Sequence, residues 1–433
     1  MSDVKTRLEL DKILERVASK AAFSLGKERV LNSEPSFSRL IVERELKRMR
    51  DAMQLVTEQG VLTFGGITDV SHPLDRSGKG AILSVEEIAD VGRFIHGFMR
   101  LKKQYSNLDK TYEALDDLFE SLVETPRLVQ NISKAIGESG TVLDSASENL
   151  REIRQQISRT RHQIDRQTQS FLSKNKGTLV EDVVTLFHGR QAFLIKPGDK
   201  NKLEGTILGQ SGSGQSLYFE PAFLSRLQNE YQSFLHQESE EIEKICMILS
   251  REIGSESTQL RANLETCAIL DALFSKALWG VQNEGVVAEV TQDELHIVNA
   301  RHPLIDKNEV IPNTYSLIPP HKMVLISGPN TGGKSVTLKT MGLFVLMTLS
   351  GLPILADEAR VMMVDQIFVD IGDQQSIEKS LSSFSAHLET ISHVIEHATS
   401  KSLVLLDELG SQTDPLEGES LSMAVLDHFR EVG

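Results

Sequence analysis

Residues 328–335 read Gly328-Pro329-Asn330-Thr331-Gly332-Gly333-Lys334-Ser335, a complete G-x-x-x-x-G-K-[ST] pattern. Just upstream, Met323, Val324, Leu325 and Ile326 form a short β-rich apolar run, which predicts a buried parallel strand entering the loop. Downstream the chain is free of proline until Pro353, long enough for a helix. Glycines at these positions let backbone N–H groups curl around phosphate oxygens, and a helix N-terminus adds positive potential. Lys334 is expected to neutralise the β- and γ-phosphates of ATP, and Ser335 to ligate Mg²⁺. An ordinary glycine-rich turn between strand and helix is the plainer alternative.

A second motif completes the pattern. Ser402-Leu-Val-Leu-Leu-Asp407-Glu408 is an apolar strand ending in two carboxylates. In a phosphate-loop ATPase, Asp407 sits at the metal and Glu408 polarises the attacking water. Adjacent acids there can also cap the following helix.

At 433 residues the chain exceeds one compact core and implies two to four domains. A net charge of −15 argues against a uniformly basic nucleic-acid coat, so any polyanion contact must be a local patch. The two cysteines, Cys246 and Cys267, fall inside helical patterns and give no disulfide framework or zinc site. With no signal peptide or membrane span legible, a reducing, cytoplasmic setting is expected.

Three segments follow. Residues 1–144 read as amphipathic helices separated by turns, a helical core domain in which His72 and His96 are isolated. Residues 145–280 read as long helical levers around a β-rich tip at about 178–220. The first lever carries Leu150, Ile153, Ile157, Ile164 and Phe171 at near-heptad spacing. Beside that seam, Arg151, Arg154, Arg159, Arg161 and Arg166 fall within an arc of roughly 160°. A solvated flank accounts for this stripe as well as a phosphate-contacting arm does. Residues 281–433 alternate strands and helices as an α/β phosphate-loop domain does. The fold class is therefore mixed: an all-α core and lever region with a small β tip, then an α/β ATPase domain. Further strands normally follow such a second motif, so the third domain is expected to be truncated at Gly433.

These residues resemble the MutS family of ABC-type ATPases, and within it the bacterial branch called MutS-two. The loop 328–335, the upstream Ala300-Arg-His-Pro303 and the run Leu405-Leu-Asp-Glu-Leu-Gly-Ser-Gln-Thr-Asp-Pro415 carry the family likeness. The start Leu8-Glu-Leu-Asp-Lys-Ile-Leu14 and the tip segment 209–221 carry the branch likeness, and no mismatch-reading domain precedes the core.

The resemblance implies further roles. Ser382 and Ser383 match the signature segment that a partner subunit offers to the γ-phosphate, making the chain a homodimer with ATP as its glue; a plain helix cap is the alternative. Asn330 would help position the metal's water or the γ-phosphate, and Asp414 would lie at the subunit crossing. Val310 and Ile311 would cover the adenine, and His302 would be structural. The histidine switch, the linker and the Smr nuclease domain of this branch have no counterpart in these 433 residues, so endonuclease activity is not expected of them, and ATP turnover is expected to be weak.

Two functions compete. In the first, ATP draws two heads together and the levers close the tips on branched DNA, or on collided ribosomes and their rRNA. In the second, the nucleotide gates a dimerisation or protein-interaction scaffold. Steep loss of polyanion affinity with salt separates them.

Overall fold

The computed structural model describes residues 2–137, 139–212, 214–328, 333–371, 383–410 and 414–432. Nine helices open the described chain: α1 (Ser2–Arg7), α2 (Leu10–Ala18), α3 (Ser24–Leu31), α4 (Arg39–Gln59), α5 (Ser71–Gly78), α6 (Val85–Ser106), α7 (Glu113–Glu120), α8 (Pro126–Ala135) and α9 (Glu148–Lys174). Strands β1 (Thr185–Phe187), β2 (Arg190–Ile195), β3 (Gly205–Gln210) and β4 (Leu217–Pro221) precede α10 (Ala222–Gln282). There follow β5 (Glu289–Thr291), β6 (Leu295–Ala300), β7 (Asn313–Leu317), α11 (Lys334–Leu349), β8 (Glu358–Met362) and β9 (Ile367–Asp370). The described chain closes with α12 (Ser383–His397), β10 (Leu403–Leu406) and α13 (Pro415–Val432). The mixed class expected from sequence is what the structure shows: a helical core with long helices and small sheets, and an α/β segment.

The chain forms two compact units, one from residues 1–69, 96–124 and 262–433, the other from 70–95 and 125–261. In the second, β1-β2-β4-β3 form an antiparallel sheet in which Phe193 opposes Phe219. Their rings join Ile164 of α9 and Leu224 and Leu227 of α10 in one apolar cluster. The four strands lie within residues 185–221. The start of α9 is fastened by polar contacts. Ser147 Oγ accepts from the Leu150 N–H at 3.0 Å, the arrangement of an N-cap, and donates to Glu241 at 2.8 Å. Asn149 donates to the other Glu241 oxygen, and the Ser147 and Asn149 bonds hold that carboxyl below its usual range.

In the first unit, β5-β8-β6-β7 form a mixed sheet, and β9 and β10 pair in parallel from Ile367–Leu403 to Asp370–Leu406. Helix α11 is apolar on every side beyond its first turns; residues 340–349 are all buried, as expected of a helix enclosed by protein. Gly342 explains how closely it packs. A Cβ there would stand 2.4 Å from Leu405 of β10 and 2.9 Å from Leu8. The amphipathic face of α2 (Leu10, Ile13, Leu14, Val17) belongs to the same apolar cluster as Leu343 to Met347. Side chains extend this packing: Arg7 donates to the Val369 carbonyl of β9 at 3.0 Å.

One expectation is corrected. Residues 323–326 form no strand, and Met323, Val324 and Leu325 are 40%, 49% and 79% exposed. A parallel strand exists only where neighbours occupy its edges and faces. Among the described residues, β9 and β10 pair with each other alone, and no strand lies beside 323–326. Composition supplies the propensity for a strand, and pairing must realise it.

Candidate functional site

The chain enters the site through Gly328, the last described residue before the loop, and resumes at Gly333 with φ of 76°, a left-handed conformation that glycine adopts at no steric cost. Pro329, Asn330, Thr331 and Gly332 lie outside the described residues. Gly333 is the N-cap of α11, so Lys334 and Ser335 occupy its first turn, where backbone N–H groups lack intrahelical partners. Lys334 Nζ donates to the Gly328 carbonyl at 2.7 Å, so its ammonium spans the two ends of the loop. That places one positive charge at a helix N-terminus, the arrangement that attracts a polyphosphate.

The second motif arrives from β10. The Asp407 N–H donates to the Asp370 carbonyl at 2.9 Å, extending the β9–β10 ladder by one step and presenting the carboxyl at the strand end. Ser335 Oγ donates to Asp407 Oδ2. Residues 72 positions apart thus share one hydrogen bond, and together they offer the hard oxygen ligands that Mg²⁺ takes. Among the described residues there is no cluster of three or more His, Cys, Asp or Glu side chains that holds a metal without help from other groups.

Glu408 follows with φ of 53°, an uncommon conformation for a residue with a side chain, and its side chain is exposed. The turn that imposes it is supported by α13. Ser422 Oγ donates to the Leu409 carbonyl at 2.9 Å, and a Cβ on Gly410 would stand 2.4 Å from the Gly418 carbonyl oxygen. Strain of about 1–3 kcal/mol held in place by surrounding packing is characteristic of functional positions.

Other expected site residues are scattered. Ile311 is 77% exposed just ahead of β7, beside Val310. Asp414 caps α13: its Oδ1 accepts from the Leu416 N–H at 3.0 Å. Ser382 lies outside the described residues, and Ser383 is the first residue of α12. On α9, Arg151 pairs with Glu148 at 2.8 Å, while Arg154 reaches Glu238 at 2.7 Å, Asp144 at 2.6 Å and the Val142 carbonyl at 2.9 Å. Arg159, Arg161 and Arg166 are exposed. Arg154 alone therefore fastens α9 to its surroundings, Arg151 pairs within the helix, and the other three face water.

Sequence reasoning did not find a cleft of about 400 Å³ beside the first turns of α11, lined by Glu9, Arg16, His302, Ile305, Val336 and Lys339 among others. Arg16 of α2 donates to the Pro303 carbonyl at 2.7 Å, fixing the Arg-His-Pro turn. His302 accepts from the Leu304 N–H at 3.3 Å, and burial holds its pKa below the usual value against the pull of Glu9. Burial works to raise the Glu9 pKa, but the Lys12 hydrogen bond and the charges of Lys339, Lys12 and His302 outweigh it and lower it. The available signal was the amphipathic pattern of α2, which marks a packed face without saying against what.

Comparison with known proteins agrees with this geometry. Residues 324–432 match the family description MutS domain V. Proteins named Endonuclease MutS2 from Bacillus cytotoxicus and Halothermothrix orenii are each 36% identical over 98% of this chain, which covers 55% of their length. The protein of that name from Bacillus cereus strain Q1 is 36% identical over 97% of this chain and 54% of its own. The chain thus spans about half the length of the curated relatives it matches. No helix among the described residues is long and apolar enough to cross a membrane.

Proposed function

The chain belongs to the MutS family, grouping with relatives named MutS2, and from that premise we propose that it is an ATP-hydrolysing clamp acting on nucleic acid. The observation that carries the reading is the hydrogen bond from Ser335 to Asp407, which joins the two halves of a phosphate-loop ATPase site. In this reading Lys334 and the first-turn N–H groups bind the β- and γ-phosphates. Ser335 and Asp407 hold Mg²⁺, which supplies charge neutralisation on those phosphates when bound. Glu408 takes a proton from the attacking water. Exposed Ile311, with Val310, covers the adenine, while Ser382, Ser383 and Asp414 serve the facing subunit of a homodimer. Arg159, Arg161 and Arg166 offer charge to phosphates of branched DNA or of rRNA on a stalled ribosome. The setting is the cytoplasm.

Glu408→Gln tests the hydrolytic half. ATP affinity is expected to persist while turnover falls by about 10²- to 10⁴-fold, the span of general base catalysis; unchanged turnover removes Glu408 from that role. A salt titration of binding to branched DNA and to rRNA tests the rest. Affinity that is absent for both at low salt with ATP present sinks the clamp. One observation favours a protein-binding scaffold instead: Val183 and Leu186 near the tip sheet are 54% and 69% exposed. That reading predicts tip-dependent binding that changes little with salt.

A further inference from the structure

The far end of α11 is held by three separate segments. The Ser36 N–H donates to the Leu349 carbonyl at 2.9 Å, and Lys276 Nζ of α10 donates to the carbonyl of Ser350, the C-cap, at 3.0 Å. Gly351 then turns the chain with φ of 64°, and Glu45 of α4 lies against it, 3.1 Å from where a Cβ would sit. One turn beyond Lys276 on the same face of α10, Gly280 meets Pro353 so closely that a Cβ would stand 2.5 Å from its ring. Helix α10 therefore presents an ammonium and a bare stretch of backbone to the end of the phosphate-loop helix.

Two features make this contact more than packing. The last carbonyls of a helix lack intrahelical partners and carry its negative dipole end, so a cation there is both a hydrogen-bond donor and a dipole partner. Lys276 is partly buried and loses hydration, and burial pushes its ammonium down to about 8, with Glu45 opposing and Arg29 adding to the fall. A neutral apolar side chain at this position would avoid that cost, yet would leave the Ser350 carbonyl without this donor. Sixteen helical residues span about 24 Å as a stiff rod, so movement at Lys334 arrives at Ser350 with little loss.

We propose that Lys276 is a positioning residue of the nucleotide site: its grip on the Ser350 carbonyl makes the end of α10 follow shifts of the helix that carries Lys334 and Ser335. The inference rests on the ATP reading above. Trp279, the only tryptophan of the chain, is buried one turn from Lys276 and reports on that stretch without a label. The experiment measures two things on each protein: affinity for a non-hydrolysable ATP analogue with Mg²⁺, and the change in Trp279 emission that the analogue causes. The native chain is expected to bind and to respond. Lys276→Met is expected to bind within about threefold of native while its emission change falls about fivefold or more, the low end of ordinary coupling between sites. Lys276→Arg, which keeps the charged donor, is expected to retain at least about half the native response. A native-sized response in Lys276→Met, or binding without any response in the native chain, overturns the proposal. If Lys276→Met does not fold, a folded Lys276→Arg that binds but stays silent overturns it equally. Absence of binding in the native chain is a different result, one that removes the ATP reading itself.

Discussion

The two ends of α11 are built on opposite principles. At the front, Gly333, Ser335 and Val336 are exposed, Lys334 Nζ donates to the Gly328 carbonyl and Ser335 Oγ donates to Asp407. At the back, every residue from Thr340 to Ser350 is buried, and the final carbonyls are held by Ser36 and Lys276. The front places a cation and the first-turn N–H groups at an exposed loop, at some cost in local stability. The back commits its last carbonyls to the protein and fixes where the front must lie. A helix can thus be a binding element at one end and a structural element at the other, and substitutions should separate the two roles.

The largest effect is expected at the front. Lys334→Ala removes the ammonium beside the phosphates and should raise the Kd for ATP by about 100-fold, or about 2.8 kcal/mol. Its thermal midpoint without nucleotide should stay within a degree or two of native, because the lost hydrogen bond lies at an open loop. Equilibrium ATP binding and thermal unfolding on the same sample check both halves. Native affinity contradicts the loop assignment, and a large fall in midpoint contradicts the contrast between the ends.

The back should give the mirror result. Gly342→Val forces side-chain carbons into space filled by Leu405 and Leu8, an overpacking that costs about 1–3 kcal/mol in a close-packed core. Denaturant unfolding should show that loss, whereas ATP affinity of the folded fraction should change by less than about threefold. A variant of native stability would mean that Leu8 and Leu405 yield more easily than their burial suggests.

How much of this was legible in the sequence follows the same division. The front is a local pattern: glycines, lysine and serine at fixed spacing, and an acidic pair ending an apolar run, all dictated by phosphate and metal chemistry. The tip sheet and the long helices α9 and α10 were legible too, since periods of 2 and 3.6 are properties of a few adjacent residues. The back was not. Nothing about Lys276 in a helix of 61 residues distinguishes a donor to a buried carbonyl from a solvated lysine. Nor does the apolar face of α2 announce that its partner lies more than three hundred residues away in α11. The run 323–326 failed for the related reason that a strand is defined by neighbours the local sequence does not contain.

The smallest expected effect is a dependence of stability on pH that belongs to the back alone. Lys276 titrates near 8 in the folded chain, against an ordinary value of 10.5. Below pH 8 the side chain is charged whether the chain is folded or not, and its burial cost is paid in full. Between pH 8 and 10.5 the folded form has released its proton while the unfolded form still holds one. Stability rises with pH wherever the unfolded state binds more protons, so this group should contribute a gain across that window. Other groups titrate there as well, and comparison with Lys276→Met cancels those that do not contact it. The difference in unfolding free energy between native and variant should therefore shift in favour of the native chain from pH 8 to 10. A flat difference for Lys276→Met would place its ammonium in contact with water, and with that the distinction between an open front and a committed back would fail at the residue where it is drawn most sharply.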